Sequence, residues 1–270
     1  MHVHEFDCFG VQAGEGNLAL VIEEGNSNPG WRRAFARERG VTCVFVDPAD
    51  AQGDASSAVA VLDYVYPHAR SPLCVHATLA AAQLLFEQQG SSAPLAVTTT
   101  MHGQPLVLSR DGEHVFVRLE RQDAPALELD TALPLRLLSA PDLVLARAPR
   151  VLSVSSPKLL LEVEDVETLY ALQPDLALIH VWGKNAGVNG CYVWCRTGDG
   201  EVEGRNFNHI EPAMEDSATG VAAGALTLLL GQALTVRQGH ATGHACSIRT
   251  ALEGDAVLVG GLVSRGVSTG

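Results

Sequence analysis

Cys74, His76 and Asp216 are the residues of this chain best suited to moving protons. Cys74 and His76 open the stretch Cys74-Val75-His76-Ala77-Thr78-Leu79-Ala80-Ala81-Ala82. Asp216, 142 positions after Cys74, opens Asp216-Ser217-Ala218-Thr219-Gly220-Val221-Ala222-Ala223-Gly224. In both places a group that holds or releases a proton precedes a segment rich in small apolar residues. A thiol, an imidazole and a carboxylate span the pKa range in which general acid–base catalysis operates. A helix N-terminus behind them favours thiolate or carboxylate, and its free N–H groups suit an anionic ligand or a developing oxyanion. Two such mouths sharing one cleft would hold a small carboxylate and move a proton between its carbons, or invert a stereocentre.

Each residue also has a plainer explanation. Asp216 before an Ala/Leu-rich helix reads as an N-cap, worth about 1 kcal/mol. His76 reads as a partly buried histidine satisfied by a backbone carbonyl, and Cys74 as a buried inert thiol. Cys43 lies in an apolar strand and reads as core, although it adjoins Thr42, whose position matters below. Cys191 and Cys195 share one face of an expected strand, which core packing explains.

Metal chemistry has little support. His2 and His4 share a strand face, and His209 with Glu211 has ligand spacing, but two ligands do not make a site. There is no C-x-x-C pair, so a structural zinc site is not expected. Gly220 to Gly224 is not followed by the Lys-Ser/Thr pair of a phosphate loop.

The elements around these mouths repeat. In the first half, residues 17–22 read as a strand, 31–39 as an amphipathic helix stopped by Gly40, and 42–46 as a strand. Residues 62–66 follow as a strand, then a turn, then a helix over 76–89. In the second half, 159–163 reads as a strand, 166–172 as a short helix and 176–181 as a strand. Residues 190–196 and 201–207 form a hairpin, and a helix spans 218–231. Gly183 to Gly187 reads as a turn. Residues 63–74 align with 205–216 without a gap, which points to an internal duplication of half the chain.

Both central helices lack a polar face, so both are buried. Strands surround them in sequence. The expected fold is therefore α+β, with two pseudo-repeated domains, each a curved, antiparallel-rich sheet or barrel around a central helix. The polar stretch 121–128 separates domains 1–122 and 123–255, and a final strand in 256–270 returns to the first domain.

Composition narrows the partners. At 270 residues, 47% hydrophobic and 18% charged, the chain is long enough for two globular cores. Eighteen Lys and Arg stand against 31 Asp and Glu, a net charge of −13, which excludes a basic surface for nucleic acid or anionic membrane. The longest apolar run is shorter than the roughly 20 residues of a membrane span. The N-terminal residues show no secretion signal and the six cysteines are dispersed, so a cytoplasmic location with reduced thiols is expected.

These motifs resemble the phenazine-biosynthesis PhzF-like family, whose fold is that of diaminopimelate epimerase. The matching stretches are Gly16-Asn17-Leu18-Ala19-Leu20-Val21, Leu73-Cys74-Val75-His76-Ala77-Thr78 and Glu215-Asp216-Ser217-Ala218-Thr219-Gly220, with a weaker match at Gln238-Gly239 and Gly243-His244. The resemblance implies two barrels each enclosing a helix, a homodimer, and a proton shift on a small conjugated carboxylate without a cofactor. It assigns acid–base roles to His76 and Asp216, and places Asn17, Val75, Thr219, Gly220 and Val221 around the substrate. Cys74 occupies the position of a catalytic cysteine in diaminopimelate epimerase.

The chain departs from the family pattern where the glutamate acid–base residue belongs. Thr42 stands there, and its hydroxyl is too weak an acid to substitute. Val75 replaces a glycine, Ser217 a proline, Val221 a small hydroxyl residue and His244 an arginine. The expected function is thus a cofactor-independent isomerase or epimerase acting on a different small carboxylate, with Cys74, Cys43 and Thr42 as candidates to replace the glutamate. The alternative is a catalytically inactive relative that binds a small carboxylate or acts through its dimer surface.

Overall fold

A computed structural model describes residues 1–12, 14–49, 58–208 and 215–266. The chain divides into two compact units: Met1–Arg118 together with the chain from Gly260, and Leu119–Val259. His209 and Glu211 lie outside the described residues.

The first unit starts with the antiparallel strands β1 (His2–Phe9) and β2 (Gly16–Glu23). Helix α1 (Pro29–Arg39) then crosses to β3 (Thr42–Pro48), which runs parallel to β2. The helix is locally specified at both ends: the Asn28 side chain accepts from the N–H groups of Gly30 and Trp31, Pro29 starts the first turn, and Gly40 ends it in the left-handed conformation. β4 (Ala58–Val65) returns antiparallel to β3, and β5 (Arg70–Ser71) hooks back onto the end of β4. Helix α2 (Val75–Gln89) follows, then β6 (Leu95–Thr99), β7 (Pro105–Asp111) and β8 (His114–Glu120).

α2 is buried along nearly its whole length and packs against β1, β2, β3 and β7, so the sheet wraps around it. The other face of the sheet carries Leu20, Ile22, Cys43, Phe45 and Val65, which pack against Phe35 and Ala36 of α1. Arg32 of α1 reaches Asp47 and the buried Asp63 of β4, and Arg70 of β5 bonds the same Asp63. That ion cluster clamps β5 to β4 just before α2.

The second unit contains α3 (Leu133–Leu137), β9 (Arg150–Ser153), β10 (Pro157–Glu162), α4 (Val166–Ala171), α5 (Leu176–Ala186), β11 (Cys191–Gly198) and β12 (Glu201–Phe207). β13 (Glu215–Asp216), α6 (Gly220–Leu230), β14 (Leu234–Gln238), β15 (Cys246–Glu253) and the start of β16 (Ala256–Arg265) complete it, the rest of β16 from Gly260 belonging to the first unit. The pairings from β9 to β10, β11, β12, β14 and β15 alternate antiparallel and parallel. Those from β1 to β2, β3, β4, β6 and β7 alternate in the same order. The duplication is therefore one of topology, beyond the motif similarity. α6 packs against β9, β10, β14 and β15. A Cβ on Gly224 would come within 2.9 Å of Val154, so the small residue permits the close approach. The far end of β16 pairs with β1, setting Arg265 opposite Phe6.

Two sequence expectations are corrected. Residues 176–181 are the start of helix α5 and not a strand. Asp175 caps that helix by accepting from the Leu178 N–H, Gly187 ends it in the left-handed conformation, and Ile179 and Gly183 face the core. A six-residue apolar run fits either period, and here the flanking caps decide. The turn expected from Gly183 to Gly187 is this helix's last turn and cap.

The second correction concerns the gapless alignment. Tyr64 lies opposite Ser71 in β4–β5, and Asn206 opposite Asp216 in β12–β13. From Tyr64 to Asn206 the spacing is 142, but from Ser71 to Asp216 and from Val75 to Gly220 it is 145. Three extra residues thus fall in the second connection. The counterpart of Cys74 is Thr219, not Asp216, since both stand immediately before their helices. Asp216 consequently is not the N-cap of α6; it belongs to β13.

Candidate functional site

At the mouth of α2, Cys74 takes the N-cap position in extended conformation, with no side-chain cap hydrogen bond. Its Sγ lies 3.4 Å from His76 Nδ1. Burial raises the Cys74 thiol pKa, but the charge and hydrogen bond of His76, a hydrogen bond from Tyr66 and the Ala77 backbone N–H outweigh it, so the net shift is downward. The helix N-terminus, the imidazole and a phenol thus all favour thiolate. Nearby Cys8 behaves oppositely. Its Sγ donates to the His76 carbonyl at 3.1 Å, and burial, with Cys74 and Asp7 beside it, holds it firmly as a thiol.

The frame behind this pair is hydrogen-bonded. Thr78 Oγ1 donates to the Cys74 carbonyl at 2.7 Å and pairs with the Tyr64 hydroxyl at 2.7 Å. Asn17 sits directly opposite Cys8 in the β1–β2 ladder, so its side chain is on the same sheet face as Cys8, next to the first turn of α2. Val75 is the first helical residue and is buried. Among the described residues the non-glycine positions with positive φ are Phe9, Glu24 and Ser139, so valine carries no backbone strain at 75.

The two strand candidates separate. Cys43 faces the α1 core, and burial pushes its thiol up to about 12. Thr42, one residue earlier, is on the opposite face of β3. The Cys43 side chain therefore packs toward α1.

At the mouth of α6, Asp216 is half-buried and accepts a 2.5 Å hydrogen bond from Thr219 Oγ1 at its Oδ2. Gln238 locks this turn: Nε2 donates to the Asp216 carbonyl at 2.6 Å, while Oε1 accepts from the Thr219 N–H and the Tyr192 hydroxyl. The Thr219 N–H is thereby occupied, so the first helical N–H groups of α6 are those of Gly220 and Val221. Ser217 Oγ pairs with Thr242 Oγ1 at 2.7 Å. Gly239 sits at φ 95°, and a Cβ there would meet the His244 carbonyl oxygen at 2.0 Å, so only glycine permits this crossing beside Ser217.

Sequence reasoning missed Lys158. It lies fully buried on β10, and its Nζ donates to Asn206 Oδ1 at 2.8 Å. The available signal was that the chain has only two lysines and sets this one inside an apolar strand. Tyr66 and Tyr192 were also missed. They bond Cys74 and Gln238 across the fold, and local sequence holds no sign of that.

Among the described residues no group of three or more His, Cys, Asp or Glu is arranged to hold a metal ion. His2 and His4 instead reach Glu24 and Glu23. Cys191 and Cys195 are both buried in the core beneath α4 and α5. No described helix is long and apolar enough to cross a membrane.

A family model described as phenazine biosynthesis-like protein matches residues 6–261. The uncharacterized isomerase YddE of Escherichia coli (strain K12) is 26% identical over 235 residues, covering 82% of this chain and 76% of that protein. A predicted epimerase of Pseudomonas aeruginosa has the same fold at a TM-score of 0.77 and 24% identity, with 99% of each chain covered. The PhzF-family phenazine biosynthesis protein of Bacillus anthracis superposes at a TM-score of 0.78 and 17% identity, over 98% of this chain and 96% of that one. Two of these relatives are thus an isomerase and an epimerase by name, and the fold is that of the two solved structures.

Proposed function

The chain belongs to the phenazine biosynthesis-like family, and from that premise we propose that it is a cofactor-independent isomerase moving a proton on a small cyclic carboxylate. The observation that carries this reading is the Cys74–His76 pair, 3.4 Å apart at the start of α2, with the thiol biased toward thiolate. A thiolate beside an imidazole is a competent proton acceptor and, once protonated, a competent donor. It fills the chemical gap left by Thr42. Asp216 supplies the second proton-handling group, and the N–H groups of Gly220 and Val221 bind the carboxylate. The proposal includes a homodimer, to be checked by sedimentation.

The test is incubation in D2O with a panel of small cyclic carboxylic acids bearing an α-hydrogen, L-proline first. Wild type is expected to incorporate deuterium, and Asp216→Asn to do so about 100-fold or more slowly. No incorporation by wild type across the panel, or undiminished incorporation by Asp216→Asn, rejects the proposal. Cys43→Ala is expected to keep the wild-type exchange rate while costing about 1 kcal/mol of stability, read from urea unfolding. A lowered exchange rate in that variant would return Cys43 to the chemistry.

A second reading is a carboxylate binder without catalysis, and Thr42 in the glutamate's place favours it. Calorimetric binding of a panel acid with no deuterium incorporation, abolished by Val221→Asp, distinguishes it.

A further inference from the structure

Behind Asp216 the second unit contains a buried polar pair that the proton chemistry above does not use. Lys158 and Asn206 are both completely buried. They lie on strands two apart, β10 and β12; on the intervening β11, Tyr192 stands opposite Asn206 and pairs with Leu160, two residues beyond Lys158. Lys158 Nζ donates to Asn206 Oδ1, while Asn206 Nδ2 has no hydrogen-bond partner among the described residues. Burying an ammonium and orphaning an amide nitrogen is costly in an otherwise apolar interior. Asn206 is also the residue set directly opposite Asp216 in the β12–β13 pairing. In the first unit Tyr64, the counterpart of Asn206, instead bonds Thr78.

We infer that Lys158 is a positioning residue for Asp216, a buried counter-charge that acts across Asn206 to hold the carboxylate of the second helix mouth in place. The inference rests on the role proposed for Asp216. Burial pushes the Lys158 ammonium down to about 8, against the opposing pull of Asp216 and Cys191. The other titratable groups around it are on β11. Cys191 is itself pushed up to about 12 by burial, and the buried Tyr192 hydroxyl is held protonated by burial and by the nearby Glu203 and Asp216 carboxylates. Asp216 is thus the one carboxylate among the groups that act on Lys158.

The chain has two lysines, so lysine labelled with 13C at Cε gives two NMR signals, and Lys184→Arg assigns them. Titration of the full chain is expected to show the Lys158 signal moving well below the exposed Lys184. In Asp216→Asn, which leaves β10 untouched, the Lys158 midpoint is expected to fall further, by about half a unit to one unit. A lysine that merely fills space against Asn206 would titrate identically in both proteins, and that result overturns the inference. Deuterium exchange gives the second readout: Lys158→Met is expected to lower the rate and Lys158→Arg to restore it. The NMR titration needs no substrate. An inactive chain with coupled titration rejects only the isomerase reading, and an active chain without coupling rejects only the role of Lys158.

Discussion

Arg205→Met is expected to destabilise the chain by about 3–5 kcal/mol, the cost of leaving a buried charge without its partner. Arg205 lies on β12 and is 8% exposed. Its guanidinium pairs with Glu215 in a fork, Nε to Oε1 at 3.0 Å and Nη2 to Oε2 at 2.9 Å. Nη1 also donates to the carbonyls of Leu169 and Leu172 at the end of α4. Its plane lies over Phe207, 4.9 Å from the ring centroid. One side chain thus joins β12, β13 and α4, and Glu215 precedes Asp216 directly. Methionine fills much of the volume but strands a carboxylate and two carbonyls. Denaturant unfolding should show the loss, with a fall of roughly 10 °C in melting temperature. Arg205→Met combined with Glu215→Met should recover a large part of it, because removing both charges also removes their desolvation. A single variant within 1 kcal/mol of wild type would show that the clamp does not hold β13.

The same clamp explains which features local sequence revealed. Asp63–Arg70 in the first unit and Arg205–Glu215 in the second fasten a two-residue strand to its neighbour with the charges exchanged. Each pair acts across a turn, so neither leaves a periodic trace. The buried helices did leave one: from Ala77 to Phe86 and from Val221 to Leu230 there is almost no polar residue, and a helix without a wet face must be enclosed. Helix α1 was legible from its amphipathic pattern and Gly40. α5 was misread because its apolar start fits either period, and the capping role of Asp175 depends on backbone geometry. The matched motifs correctly indicated a repeat, but three residues inserted before Asp216 shifted the correspondence, and a gapless reading cannot see an insertion in a turn. Lys158 was opaque for another reason. Its partner is 48 positions away on a strand two removed, and only sheet register makes them neighbours.

Cys74→Ser is expected to lower the deuterium-exchange rate by about two to four orders of magnitude, the range lost with a positioned acid–base group. Serine preserves size and the N-cap position but titrates far above any working pH. In wild type, thiolate is the proton acceptor, so the rate should rise as pH passes upward through the lowered thiol pKa; in Cys74→Ser that limb should vanish. His76→Asn separates the two members of the pair. Losing the imidazole removes the main influences holding the thiol down, leaving burial to dominate, so the limb should survive but move to higher pH. The thiolate can also be observed directly by its ultraviolet absorbance. Burial holds Cys8, Cys43, Cys191 and Cys195 as thiols, so absorbance present near neutral pH and lost in Cys74→Ser belongs to Cys74. A Cys74→Ser protein with the wild-type rate and limb would make the thiol a bystander, and the proton acceptor at the mouth of α2 would then have to be the imidazole of His76 alone.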